Sequence, residues 1–116
     1  MKSVTEEKSF QFAVDVVNAA KKVRSEHREY DLTSQFVRSG TSVGANVSEA
    51  QKAQTKKDFI AKMSIASKEA SETRYWIRLM TATDYLDKST ADGLRQQIDE
   101  LIRLLTRIVK SSQENT

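Results

Sequence analysis

The sequence predicts an all-α protein, an antiparallel up-down-up-down four-helix bundle. Proline is absent, and only three glycines (Gly40, Gly44 and Gly93) occur in 116 residues. Strands and their turns ordinarily draw on both residue types, whereas a proline-free chain rich in long charged side chains favours helix. Apolar residues recur at helical spacing in four separate stretches. The connections between them are short, which makes consecutive helices antiparallel neighbours.

The first helix is expected over residues 5–28. Its apolar residues cover more than half of the circumference, whereas one bundle core needs a stripe of roughly 100°. Phe10, Val14 and Val17 define one side; Phe12, Val16, Ala19 and Val23 define another. Either this helix is deeply inserted or it carries a second interface. The second reading is preferred, with Phe12, Val16, Ala19 and Val23 as the surface offered to another copy. The second helix spans 32–52, with Leu32, Phe36, Val43 and Val47 on one stripe. Gly40 lies on that side, flanked by Ser39 and Gly44. Glycine costs roughly 1 kcal/mol in a helix interior, so two of them point to close helix–helix approach.

The third helix spans 56–83. Thr55 and Asp58 have capping-box spacing, and Phe59, Met63, Ala66, Ala70, Ile77 and Met80 form its apolar face. The fourth spans 90–110. Ser89 and Asp92 give a second box, and Leu94, Ile98, Leu101, Leu105 and Ile108 form a heptad-like stripe. Residues 111–116 are polar and expected to fray. The chain is read as a single domain over residues 1–116.

Composition excludes several classes. Hydrophobic residues make up 38% and charged residues 30%, which suits a globular chain rather than a disordered or membrane-embedded one. No apolar run approaches the roughly 20 residues that span a bilayer, and the first residues lack a signal-peptide core. Without cysteine there is no disulfide or thiolate chemistry, and the cytoplasm is the expected compartment.

Nothing in the sequence suggests an enzyme. The single histidine, His27, lies in a charged stretch and cannot build a zinc site without cysteine or further histidines. There is no G-x-S-x-G turn, no phosphate loop and no Glu-x-x-His pair. No catalytic residue, metal or cofactor is expected. The polar residues Arg38, Asn46 and Glu49 share a stripe of the second helix, and Glu69 lies in the middle of the third helix's apolar face. An isolated buried carboxylate is costly, so Glu69 needs a cation or hydrogen-bond donors, and Arg38 is the candidate, with Asn46 nearby. Arg38, Asn46, Glu49, Glu69 and Glu72 are read as a structural polar network.

The formal net charge is +3 and the pI about 9.2. Lys52, Lys56 and Lys57 cluster at the turn between the second and third helices, with Lys62 one turn on. With Arg38 they form the candidate nucleic-acid surface, since phosphate binding needs several cations together. Further basic groups are Lys21, Lys22, Arg24 and Arg28, and Arg95, Arg103, Arg107 and Lys110. Tyr75, Trp76 and Tyr85 are aromatic rings of the kind that stack bases, although Trp76 reads better as core.

The stretch from Phe36 to Leu79 resembles a known family. The residues that carry it are Arg38, Ser42-Val43, Asn46-Val47-Ser48-Glu49-Ala50, Phe59-Ile60, Met63, and the run from Ile65 to Trp76. They are similar to the bacterial four-helix bundle proteins first noticed in intervening sequences of 23S ribosomal RNA genes. The first and last helices fit that pattern in length and character. One departure is Ala50, where many relatives have glycine, so the second helix is expected to end less sharply. The resemblance implies an antiparallel four-helix protomer, often assembled as a ring-shaped homopentamer. It also implies kinship with the accessory proteins of diversity-generating retroelements, which are pentameric and basic and bind nucleic acid and a reverse transcriptase. By position, Arg38, Asn46, Glu49, Glu69 and Glu72 are its signature residues.

The expected function is therefore a non-enzymatic homo-oligomer that binds RNA or DNA with little sequence specificity. The alternative is an interaction module for a protein partner such as a polymerase.

Overall fold

The computed structural model describes residues 3–114. Among them are four helices and no strand: α1 (Val4–His27), α2 (Asp31–Ala50), α3 (Lys56–Ala82) and α4 (Lys88–Glu114). Each helix packs on the next in sequence, α4 closes against α1, and the diagonal pairs do not approach each other. The bundle measures 48 × 24 × 20 Å. Its long dimension follows from helices of 27 residues, each about 40 Å long.

Polar caps fix where the helices start. Ser3 Oγ accepts from the Glu6 amide at 2.9 Å, and Thr55 Oγ1 accepts from the Asp58 amide at 3.0 Å, as its capping-box spacing predicts. At α2 the cap comes from Glu29, whose carboxylate accepts from the amides of Leu32 and Thr33, both at 2.9 Å. The expected box from Ser89 to Asp92 is not formed. Asp87, two residues earlier, accepts from the Thr90 amide at 2.8 Å and the Thr90 hydroxyl at 3.0 Å, so α4 begins at Lys88. A charged cap that meets both donors of Thr90 outcompetes the Ser89 hydroxyl. At its other end α4 runs on to Glu114, past the expected limit at 110, because neither proline nor glycine stops it. Residues 115 and 116 of the expected tail lie outside the described residues.

These carboxylate caps make the fold acid-sensitive. Partial burial disfavours the Glu29 anion, but the amides donating to it prevail and hold its pKa below the ordinary value. The Thr90 amide and hydroxyl lower Asp87 in the same way. A carboxyl with a depressed native pKa stabilises the fold above its unfolded pKa, and that contribution is lost as pH falls through the native value. Thermal unfolding followed by circular dichroism should give a level Tm from neutral pH to about 5 and a decline below about 4.5. Glu29→Gln should lower Tm at neutral pH and shrink that decline; an unchanged acid slope would remove Glu29 as a cause.

The core holds Phe12, Val16 and Val23 of α1, Phe36, Val43 and Val47 of α2, Met63, Ala66, Ala70, Ile77 and Met80 of α3, and Leu94, Ile98, Leu101 and Leu105 of α4. This corrects the reading of α1. Phe12, Val16, Ala19 and Val23, expected to face another copy, are 0%, 0%, 8% and 2% exposed and lie inside the protomer. Their side also carries the buried Thr5 and Ser9. Close approach of α1 to α2 sets this orientation. A Cβ on Gly40 would lie 2.9 Å from Val16 Cγ1, and one on Gly44 would lie 3.1 Å from the Ser9 carbonyl oxygen. Across the α2–α3 interface the buried hydroxyls of Ser39 and Thr73 meet at 2.9 Å. Ala50 is buried, and Gln51 after it stays in the right-handed helical region with φ −63°. No residue there is left-handed, in keeping with the less sharp ending expected from Ala50.

Candidate nucleic-acid interface

The basic turn is built by the end of α2 and the start of α3. Residues 51–55 connect the helices, and Lys52, Lys56 and Lys57 are all exposed. Among the described residues none of the three makes an ion pair. Lys56 and Lys57 occupy the first turn of α3, where the helix dipole is positive and cations are disfavoured. Three ammonium groups without ion pairs thus share one corner of the bundle with the start of α3, where Asp58 is the acidic residue of the first turn.

The other two expected members are paired with carboxylates. Lys62 reaches back to Glu49 at 3.7 Å. Arg38 lies on α2 about 20 Å from the turn at 1.5 Å per residue, and it is held by two carboxylates. Its Nη1 donates to Glu69 at 3.0 Å, and its Nη2 donates to Glu72. Arg38 is thus excluded from the candidate phosphate surface, which is centred on the three lysines of the turn, with Lys62 only loosely paired beside them.

The polar network divides as well. Arg38, Glu69 and Glu72 form one unit across α2 and α3. Asn46 instead donates to the Ser42 carbonyl of its own helix at 2.8 Å, and Glu49 belongs with Lys62. Trp76 is the member that sequence reading passed over. Half-buried against the core, it donates its Nε1 hydrogen to Glu72 at 3.0 Å, a bond that its i, i+4 spacing from Glu72 signals. This bond, ahead of Arg38, holds the Glu72 carboxyl below its ordinary pKa, while Glu72 and then Glu69 raise that of Arg38. Glu69 is the more enclosed carboxylate, its side chain only 12% exposed. The unit joins α2 to α3 and leaves Arg38 no unpaired charge for phosphate.

An apolar surface lies on the outer side of α1. Phe10 is 69% exposed and Val14 36%. Between α1 and α2 a groove of about 610 Å³ runs past Phe10, Ala13, Thr41, Gly44 and Ala45. This side, rather than the one through Phe12, is open to another molecule. His27, the last residue of α1, sets its ring edge-on to Tyr85 at 5.2 Å, and no group of three or more metal-ligating side chains occurs among the described residues. No helix there is long and apolar enough to cross a membrane.

The profile of the 23S rRNA-intervening sequence proteins matches residues 2–107. The chain belongs to this family. A similar solved structure is a protein of unknown function of the S23 ribosomal protein family from Bacteroides thetaiotaomicron, determined at 1.70 Å. It shares 42% identity, the match covers 92% of this chain and 99% of that one, and the TM-score is 0.90. No curated protein matches. In this 23S rRNA-intervening sequence protein, the segment that carries the family resemblance contributes both the Arg38–Glu69–Glu72 unit and the turn with its three lysines.

Proposed function

We propose that this family member is a non-enzymatic homo-oligomer that binds RNA or DNA through the basic turn, with little preference for base sequence. The observation that supports it is the placement of Lys56 and Lys57. Two exposed, unpaired cations in the first turn of α3 oppose local helix preference, and a departure from local preference marks a functional position. Three phosphate contacts per protomer are weak, and repetition around an assembly such as the pentamer implied by the resemblance multiplies them. The outer side of α1, centred on Phe10 and Val14, is the self-association surface in this reading.

Light scattering at low and high salt, with and without a short RNA, tests it. The expected result is a salt-resistant mass of several protomers that rises with RNA only at low salt. Phe10→Asp should reduce the mass to that of one protomer. The exposure of Phe10 also favours a second reading, a module that docks a protein partner through the same side. A monomer indifferent to RNA at every salt concentration would reject the first reading in favour of the second.

A further inference from the structure

A second basic feature lies on α3 and α4, well away from the turn. Ser71, Arg74, Tyr75 and Arg78 follow one another at i, i+3, i+4 and i+7 and so share one stripe of α3. Arg95 reaches the same place from α4, and the five side chains line a notch of about 420 Å³. Arg74 and Arg95 both lean on one carboxylate, Asp99, at 3.5 and 3.7 Å. These contacts are long and solvent-exposed, and such pairs contribute little. Arg78 is exposed and forms no ion pair among the described residues. Three guanidinium groups thus face one carboxylate.

Tyr75 stands among them, 55% exposed. Its ring lies near-perpendicular to that of Trp76, with centroids 5.1 Å apart, and more than half of the residue remains in contact with solvent. An open aromatic ring flanked by guanidinium groups suits one chemistry in particular. The ring stacks an unpaired base, and the guanidinium forks bind the neighbouring phosphates. A duplex, with its bases stacked on one another, offers the ring nothing. The notch is about 25 Å along α3 from Lys57, at 1.5 Å per residue, so it is a separate contact point from the turn.

We propose that Tyr75, with Arg74, Arg78 and Arg95, forms a binding site for unpaired nucleotides, so that the preferred ligand is a single strand or a loop. This deepens the nucleic-acid reading and rests on it, but it makes a claim that the lysine turn does not, namely discrimination by strandedness. The test is fluorescence anisotropy at low salt with labelled single-stranded RNA, single-stranded DNA of the same sequence, and the RNA annealed to its complement. Trp76, the only tryptophan, reports from beside Tyr75. The protein is expected to bind one or both single strands more tightly than the duplex and to change its Trp76 emission on doing so. Tyr75→Ala should weaken single-strand binding by roughly five- to a hundredfold, the range that base stacking supplies, and leave duplex binding unchanged. Tyr75→Phe should restore it, and Arg78→Gln should reduce the salt dependence. Equal binding of single strand and duplex, or Tyr75→Ala indistinguishable from the parent, would overturn this inference and leave the lysine turn standing. Failure of the parent protein to bind any of the three ligands would overturn both.

Discussion

Replacing Lys52, Lys56 and Lys57 together with glutamate is expected to weaken nucleic-acid binding severely while slightly stabilising the fold. Each substitution removes one positive charge and adds one negative, so the formal net charge moves from +3 to −3. For single strands the logarithm of affinity falls with the logarithm of salt concentration at a slope of about 0.7 per phosphate neutralised. Loss of three contacts per protomer should flatten that slope, and reversed charge should repel the ligand even at low salt. Stability should move the other way, because glutamate in the first turn favours the dipole that Lys56 and Lys57 oppose, by about 0.3–1 kcal/mol per site. The three side chains are exposed and form no ion pairs, so no packing is lost. A salt titration of affinity beside a denaturant titration of stability reads both. Undiminished binding by a folded triple variant would remove the turn as the phosphate surface.

Gly40→Ala should destabilise the protein by up to about 2 kcal/mol, although alanine is the better helix former. Helix preference alone contributes about 1 kcal/mol in favour of the alanine. Against it, the new Cβ would lie 2.9 and 3.0 Å from the two γ-carbons of Val16. Val16 is fully buried and β-branched, so it cannot rotate aside, and overpacking of this kind costs about 1–3 kcal/mol. Gly93→Ala is the control. A Cβ there meets nothing within 4 Å, and the same substitution should stabilise by about 0.5–1 kcal/mol. Combining Gly40→Ala with Val16→Ala should cost less than the sum of the two, since the shortened side chain makes room for the added one. Urea unfolding of the four variants measures the cycle. Strict additivity would show that contact with Val16 does not explain the glycine.

The sequence was legible where one physical signal dominated. The stripe from Leu94 to Leu105 on α4 and the small residues at Gly40 and Gly44 foretold their packing, and Thr55 foretold the start of α3. Misreadings arose where two signals competed. On α1 the inward positions 5, 9, 12, 16, 19 and 23 keep heptad-like spacing, but two of them are Thr5 and Ser9. Hydropathy therefore could not rank this side above the one bearing Phe10 and Val14. At α4 both Asp87 and Ser89 have cap-forming side chains, and only geometry shows which meets Thr90. For the polar residues, helical periodicity placed Arg38 and Glu69 on facing helices, but it could not show that Asn46 turns back onto its own backbone. The notch around Tyr75 needs Arg95 from another helix, a juxtaposition beyond the reach of spacing along one helix.

The seam between α1 and α4 differs from the other three contacts in a way that bears on how the chain folds and opens. It alone joins elements distant in sequence. It is bridged by the exposed pairs Lys8–Glu100 at 3.2 Å and Lys22–Asp87 at 3.4 Å and by a hydrogen bond from Gln97 to Asp15 at 3.0 Å, beside a cleft of about 470 Å³. The remaining interfaces form between consecutive helices joined by short turns, so little loop-closure entropy opposes them, and a topology of this kind folds rapidly. Closure of α1 onto α4 bears the longest loop and is reinforced by contacts that contribute little in water. This edge is the natural point of sub-global opening, where backbone amides should exchange with solvent ahead of those in α2 and α3.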